Sequence, residues 1–236
     1  MLEVMMDKNS IYHPVSSPKS YADIIDNLNF LEKQLSIHDY DQFLVFNRSY
    51  VVVTQSIKDN SEKGYFMHPE FVEDFAITFA GYYFQAMNEV IANTTTESAA
   101  WGKLATAKKH PRFIQLLLGA NAHINHDLPL VMVEHMNQDY SREVFKDILS
   151  IDALLMQSGK EIIPLLDESY TCQRFIKKHL QFLYYMPVMY MILLWRISAW
   201  RSYKSIIKNG LSQAKFQTKS VRTANRLFNI GLYLQF

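Results

Sequence analysis

From Leu180 to Trp195 the chain runs for 16 residues without a charge, and this stretch limits the folds open to it. A bilayer span wants about 20 apolar residues, and Arg196 blocks the only extension. No transmembrane span is therefore expected. The run reads as a buried helix, apolar nearly all round because neighbours enclose it. Pro187 should kink it. Arg196 is an always-charged group at the end of a buried stretch, so it needs a carboxylate or carbonyl partner. Asp127 and Asp152 are the candidates, with snorkelling to solvent as the alternative. Trp200, one turn on, can stack over it.

Helical spacing recurs along the rest of the chain. Ser20-Tyr-Ala-Asp23 resembles a capping box, and Ile24, Ile25, Leu28, Leu31 and Leu35 follow as an apolar stripe. Residues 41–57 carry Phe43, Phe46, Tyr50, Val53 and Ile57 at helical spacing. Tyr50-Val-Val-Val-Thr54 alone suggests a strand, but no second strand is available to pair with it. A loop is expected over 60–68, then Pro69 at a helix start with Glu70, Glu73 and Asp74 near the positive end of the dipole. That helix shows an aromatic stripe, Phe71, Phe75, Phe79 and Tyr82, which core packing explains. A short helix over 98–109 turns Trp101 and Leu104 inward. Another over 141–156 should end at Gly159, and the long helix over 170–208 should end at Gly210.

Only 7 Gly and 7 Pro against 11 Met and 14% aromatic residues also favour helices over a turn-rich β fold. The expected fold is all-α, a single irregular helical bundle with two long kinked central helices. Residues 1–19 read as a loose lead-in, 20–210 as the helical domain, and 211–236 as a basic and apolar segment packed on it. The single Cys172 excludes an intrachain disulfide framework and any Cys-based zinc site. The N-terminus shows no signal-peptide pattern, so a cytoplasmic location is expected, with contact to a membrane surface as the variant.

The polar chemistry clusters in Gly119-Ala-Asn-Ala-His-Ile-Asn-His-Asp-Leu-Pro129. On a helix, His123, His126 and Asp127 share one face within an arc of about 100°. Two imidazoles and a carboxylate can hold a divalent metal, Zn or Fe, or work as an acid and a base. Asn121 and Asn125 fall on the opposite side, where an amide can bridge helices. Pro129 leaves the Asn125 carbonyl without its helical donor, so a kink or break is expected there. A purely structural network of His, Asn and Asp would have the same sequence. A metal shell would need a further ligand from Glu73, Asp74, Glu89, Asp152 or His179.

Charge is sharply divided. Residues 169–236 carry 11 basic and no acidic side chains, against 13 basic and 23 acidic in 1–168. The halves can dock on each other, or the basic part can face an anionic lipid surface or surround an anionic ligand. Nucleic acid is not expected, since no DNA- or RNA-binding motif is present.

The central motif, Leu116-Leu-Leu-Gly-Ala-Asn-Ala-His-Ile-Asn-His-Asp-Leu-Pro-Leu130, resembles the bacterial domain-of-unknown-function family 5995. So do Gly64-Tyr-Phe, the Phe71–Met87 helix, Phe46-Asn-Arg-Ser-Tyr-Val-Val-Val-Thr54 and Arg196-Ile-Ser-Ala-Trp200. The resemblance covers about 40–210. It implies an all-helical domain and no established activity, and it groups Asn121, His123, Asn125, Asp127, Arg196 and Trp200 as one set. Two functions are expected from these readings. The first is a metal-assisted or acid/base, hydrolase-like activity on a small anionic or lipid-like substrate. There His123, His126 and Asp127 would hold the metal or move protons, and Arg196 would orient an anion. The second is a non-enzymatic helical module that contacts a protein partner or an anionic membrane through its basic C-terminal region.

Overall fold

Ser20 starts the first helix, α1 (Tyr21–Ile37), by accepting the Asp23 N–H on its Oγ at 3.1 Å. Asp23 reaches back past the cap to the Lys19 N–H at 2.8 Å, so the reciprocal half of the box closes one residue early. Ile24, Leu28, Leu31 and Leu35 are buried, as their spacing requires. The computed structural model describes residues 13–94, 98–136, 142–166, 171–209 and 214–234, the side chains of 142, 171–187, 209 and 214–216 excepted.

A 3-10 turn, Asp41–Phe43, leads into α2 (Leu44–Glu62). The β-branched run at 51–54 is helical here, because α2 buries Val45, Phe46, Thr54 and Ile57 and tertiary packing outweighs strand propensity. Buried Asn47 ties three helices together: its Nδ2 donates to Leu28 O at 2.9 Å and its Oδ1 accepts from Tyr83 Oη at 3.3 Å. The loop after α2 starts at Lys63, later than expected, and turns at Gly64 with φ +75°. Helix α3 (Pro69–Ile91) begins at Pro69 as expected. No side chain of its own chain neighbours caps it. Asp147, from a later helix, accepts the Met67 and His68 N–H groups at 2.9 and 2.8 Å.

Helix α4 (Ala99–Ala105) is shorter than expected and buries Trp101 and Leu104 completely. The next stretch runs as α5 (Arg112–Ala122), a π turn over His123–Asp127, and α6 (Leu128–His135). In the π turn Leu128 N–H donates to His123 O, five residues back. A wider turn is a direct answer to Pro129, which has no N–H for the carbonyl of Asn125 and whose ring would crowd it.

Helix α7 (Arg142–Ile162) continues through Gly159, where termination was expected. A glycine inside a helix costs about 1 kcal/mol, and burial of Ile148, Leu154 and Ser158 offsets it. A 3-10 turn, Ile163–Leu166, follows. Helix α8 (Thr171–Asn209) is unbroken through Pro187, while Gly210 and the side chains of Cys172 and His179 lie outside the described residues. Full enclosure of 180–195 is corrected for its described part: Met189 and Ile192 are buried, but Tyr190 and Leu194 are 62% and 47% exposed. At 39 residues, roughly 58 Å long, α8 outruns its neighbours, which cover one face only over its described side chains, 188–208. Helix α9 (Ala214–Tyr233) packs on α4 and α5, where His110 Nε2 meets Phe228 O at 2.9 Å. The described residues contain no strand. The fold is all-α, with α5, the π turn and α6 in its middle, touched by α3, α8 and α9.

Candidate functional site

The π turn buries everything it carries: His123, Asn125, His126 and Asp127 are each at most 6% exposed. A carboxylate so deep needs donors, and three converge on it. His123 Nδ1 and Trp101 Nε1 donate to Asp127 Oδ2 at 3.0 and 3.1 Å, and His126 Nδ1 donates to Oδ1 at 2.7 Å. Burial alone would push the Asp127 carboxyl up; the hydrogen bonds and charge of the two imidazoles outweigh it and hold the group below its usual value of 3.8. An ionised carboxylate only accepts, so each ring carries its proton on Nδ1.

His123 Nε2 is thereby left as an acceptor. It is buried and has no hydrogen-bond partner among the described residues. The ring is gripped by aromatics. Phe79 stacks on it with centroids 3.5 Å apart and planes at 8°, and Tyr50, Phe46, Tyr83 and Trp101 surround it at 4.9 to 6.1 Å. Burial lowers the His123 pKa below 6.5, against the pull of Asp127, and the charge of Arg196 lowers it further. The imidazole is neutral near pH 7 and holds an available base. The Tyr50 phenol is pushed far up by burial and by nearby Asp127, so it stays protonated.

His123 forms part of the wall of an apolar cavity of about 140 Å³ lined by residues of α1, α2, α3, α5, α7 and α8. Phe75, Leu116, Ile151 and Ile192 are typical of its lining, and Arg196 is its cation. Arg196 pairs with Asp152, the second of the two expected partners. Burial raises the Asp152 carboxyl against the pull of that guanidinium. On the other side of the turn, His126 and Asp127 border a larger and more polar cleft with Tyr82, Glu134 and Trp101.

The residues expected on one face thus do meet, but they bind one another. Asp127 spends both oxygens on the imidazole N–H groups, and the expected further ligands are engaged elsewhere. Glu73 accepts from Tyr21 N–H at 3.0 Å, Asp74 faces His135 at 3.4 Å, and Gln85 donates to Glu89 at 3.1 Å. No three His, Cys, Asp or Glu side chains among the described residues are arranged to hold an ion. Asn121 and Asn125 bridge as expected: Asn125 Nδ2 donates to Asn121 Oδ1, and Asn121 Nδ2 to Ser220 O on α9, both at 3.0 Å. Trp200 lies away from both cavities, against Phe145, Tyr203 and Lys204. The sequence reading missed the aromatic cage. Its one signal was the spacing of Phe46 with Tyr50 and of Phe75, Phe79 and Tyr83.

A family model described as a family of unknown function, DUF5995, matches residues 21–230. The match runs from α1 into α9, so it extends past 40–210 and includes most of the basic tail. No curated protein and no solved structure matches the chain.

Proposed function

We propose a function from the site alone, because the chain belongs to DUF5995, a family of unknown function. The protein acts as a general acid/base enzyme, hydrolase-like, on a small lipid-like substrate that carries an anionic or ester group. One observation carries this reading: His123 lines an apolar cavity with its Nε2 buried and unpartnered while Asp127 holds Nδ1. A carboxylate that fixes the tautomer of a neutral imidazole prepares the far nitrogen to take a proton. In the proposed step Nε2 takes a proton from a water as its oxygen attacks the substrate carbonyl. The imidazolium is stabilised by Asp127 and returns the proton to the departing oxygen. Arg196 stabilises the negative charge that develops on the carbonyl oxygen. The apolar wall selects the acyl part of the substrate.

The metal-assisted version with Zn or Fe, held by His123, His126 and Asp127, has less support, since both Asp127 oxygens already accept hydrogen bonds and both imidazoles present Nδ1–H to them. The test uses p-nitrophenyl acetate and p-nitrophenyl octanoate with the full chain. Turnover should favour the longer ester, vanish in His123→Gln and survive a chelator. Loss on chelation, with recovery on added Zn or Fe, would return the metal version. No turnover of either ester, with no binding of a fluorescent fatty acid displaceable by octanoate, ends the enzyme reading.

A further inference from the structure

We infer that the outer face of α8 is a docking surface for an anionic lipid bilayer. Tyr190, Leu194 and Ile197 are 62%, 47% and 49% exposed, at a spacing that puts them on one face of the helix. Arg201, Lys204 and Lys208 continue that face and are also exposed. All six point within about 40° of the Tyr190 direction, at 100° per residue. The face is thus an apolar stripe running into a cationic one, about 27 Å from end to end.

Bulky apolar side chains in water are unfavourable, and a contiguous stripe of them marks an interaction surface. The charge identifies the partner. No acidic residue occurs anywhere after Glu168, and none of the three cations has a carboxylate partner among the described residues. Cations also crowd at the crossing with α9, where Lys219 contacts Ser198. Burial, and then the charge of Arg201, weaken the hold of the Lys219 amine on its proton. A surface that is apolar at one end, cationic at the other and free of carboxylates complements lipid phosphates and serines above acyl chains. The helix would lie flat, since no helix among the described residues is long and apolar enough to cross a membrane. The inner face of the same stretch, through Val188, Met189, Ile192 and Arg196, walls the apolar cavity. The docking surface does not depend on any reaction in that cavity.

The test is co-sedimentation of the full chain with vesicles of phosphatidylcholine, alone or mixed with phosphatidylserine. Binding is expected on the mixed vesicles only, and it should collapse between about 0.1 M and 1 M salt as the screening length falls from about 10 to 3 Å. Arg201→Gln, Lys204→Gln and Lys208→Gln should each weaken it roughly fivefold. Leu194→Asn with Ile197→Asn should weaken it while leaving the salt dependence in place. All five side chains are exposed, and circular dichroism checks that the variants fold. Equal binding to both vesicles, or none at low salt, overturns the inference. So does a chain that dimerises through this face, seen as a dimer lost in Leu194→Asn. Binding to a DNA duplex as tight as to the vesicles, and indifferent to Leu194→Asn and Ile197→Asn, would make the face a simple polyanion site.

Discussion

The π turn has two faces, and each holds a buried polar atom with no hydrogen-bond partner among the described residues: Asn125 Oδ1 on one, His123 Nε2 on the other. Their surroundings differ. Asn125 and Asn121 border none of the cavities described above, and their other polar atoms tie the turn to Ser220 on α9. His123 lines an apolar cavity, stacked on Phe79 and oriented by Asp127. The difference teaches where to look for chemistry. An unsatisfied atom in a packed seam is a cost of structure, whereas one on a ring that lines a cavity is an acceptor that a ligand can use.

Removing the shared anchor should give the largest effect. Asp127→Ala strands two imidazole N–H groups and the Trp101 N–H in a buried site. A loss of about 3–5 kcal/mol is expected in urea unfolding. A loss under about 1 kcal/mol would mean that the histidine face needs no carboxylate and that its likeness to a catalytic pair is superficial. Next comes Gly119→Ala. A Cβ at Gly119 would lie 2.6 Å from Phe46 Cγ, and Phe46 packs edge-on to His123. Overpacking of this kind costs about 1–3 kcal/mol. It should also disturb ligand binding in the cavity, because Phe46 lines it. A stable variant with unchanged binding would show that the ring can yield without moving His123.

Asn121→Ala probes the other face. It removes the donor to Ser220 O and the acceptor for Asn125 Nδ2, for a loss of about 2 kcal/mol. Amide exchange should quicken in α9, while binding of a fatty-acid probe in the cavity stays as it was. If the probe is lost as well, the two faces are one cooperative unit and the contrast between them fails.

How much of this could be read without coordinates depends on the range of the forces involved. The meeting of His123 and His126 with Asp127, the start at Pro69 and the helix through Tyr50-Val-Val-Val-Thr54 follow from local geometry and were legible. The Ser220 end of the Asn121 bridge, the Asp147 cap on α3 and the Trp101 bond to Asp127 join residues 26 to 99 positions apart, and spacing carries no trace of them. Gly159 misled because a glycine's propensity is local while the burial that overrides it is not. The exposed side of α8 was read as core for a related reason. An apolar face looks the same in sequence whether a neighbouring helix covers it or something outside the chain does.

The smallest effect separates the two faces by pH. His123 has its pKa lowered by burial, so between 6.5 and its folded value the unfolded chain binds a proton that the folded chain does not. Stability is then fully present above pH 6.5 and falls as the solution is acidified below it, by less than about 1.4 kcal/mol for each pH unit crossed. Asp127 acts lower down. Its carboxyl is held below 3.8, so its contribution is present above 3.8 and is lost as pH drops through its folded value. Asn121 and Asn125 do not titrate and add nothing to either limb. Thermal melts at pH 7.5, 6 and 5 should therefore show a shallow acid limb in the wild type and in Asn121→Ala, and a shallower one in His123→Gln. A limb of equal slope in His123→Gln would assign it to the other histidines. His123 would then share its proton freely with solvent and would not be the sequestered base that its cavity suggests.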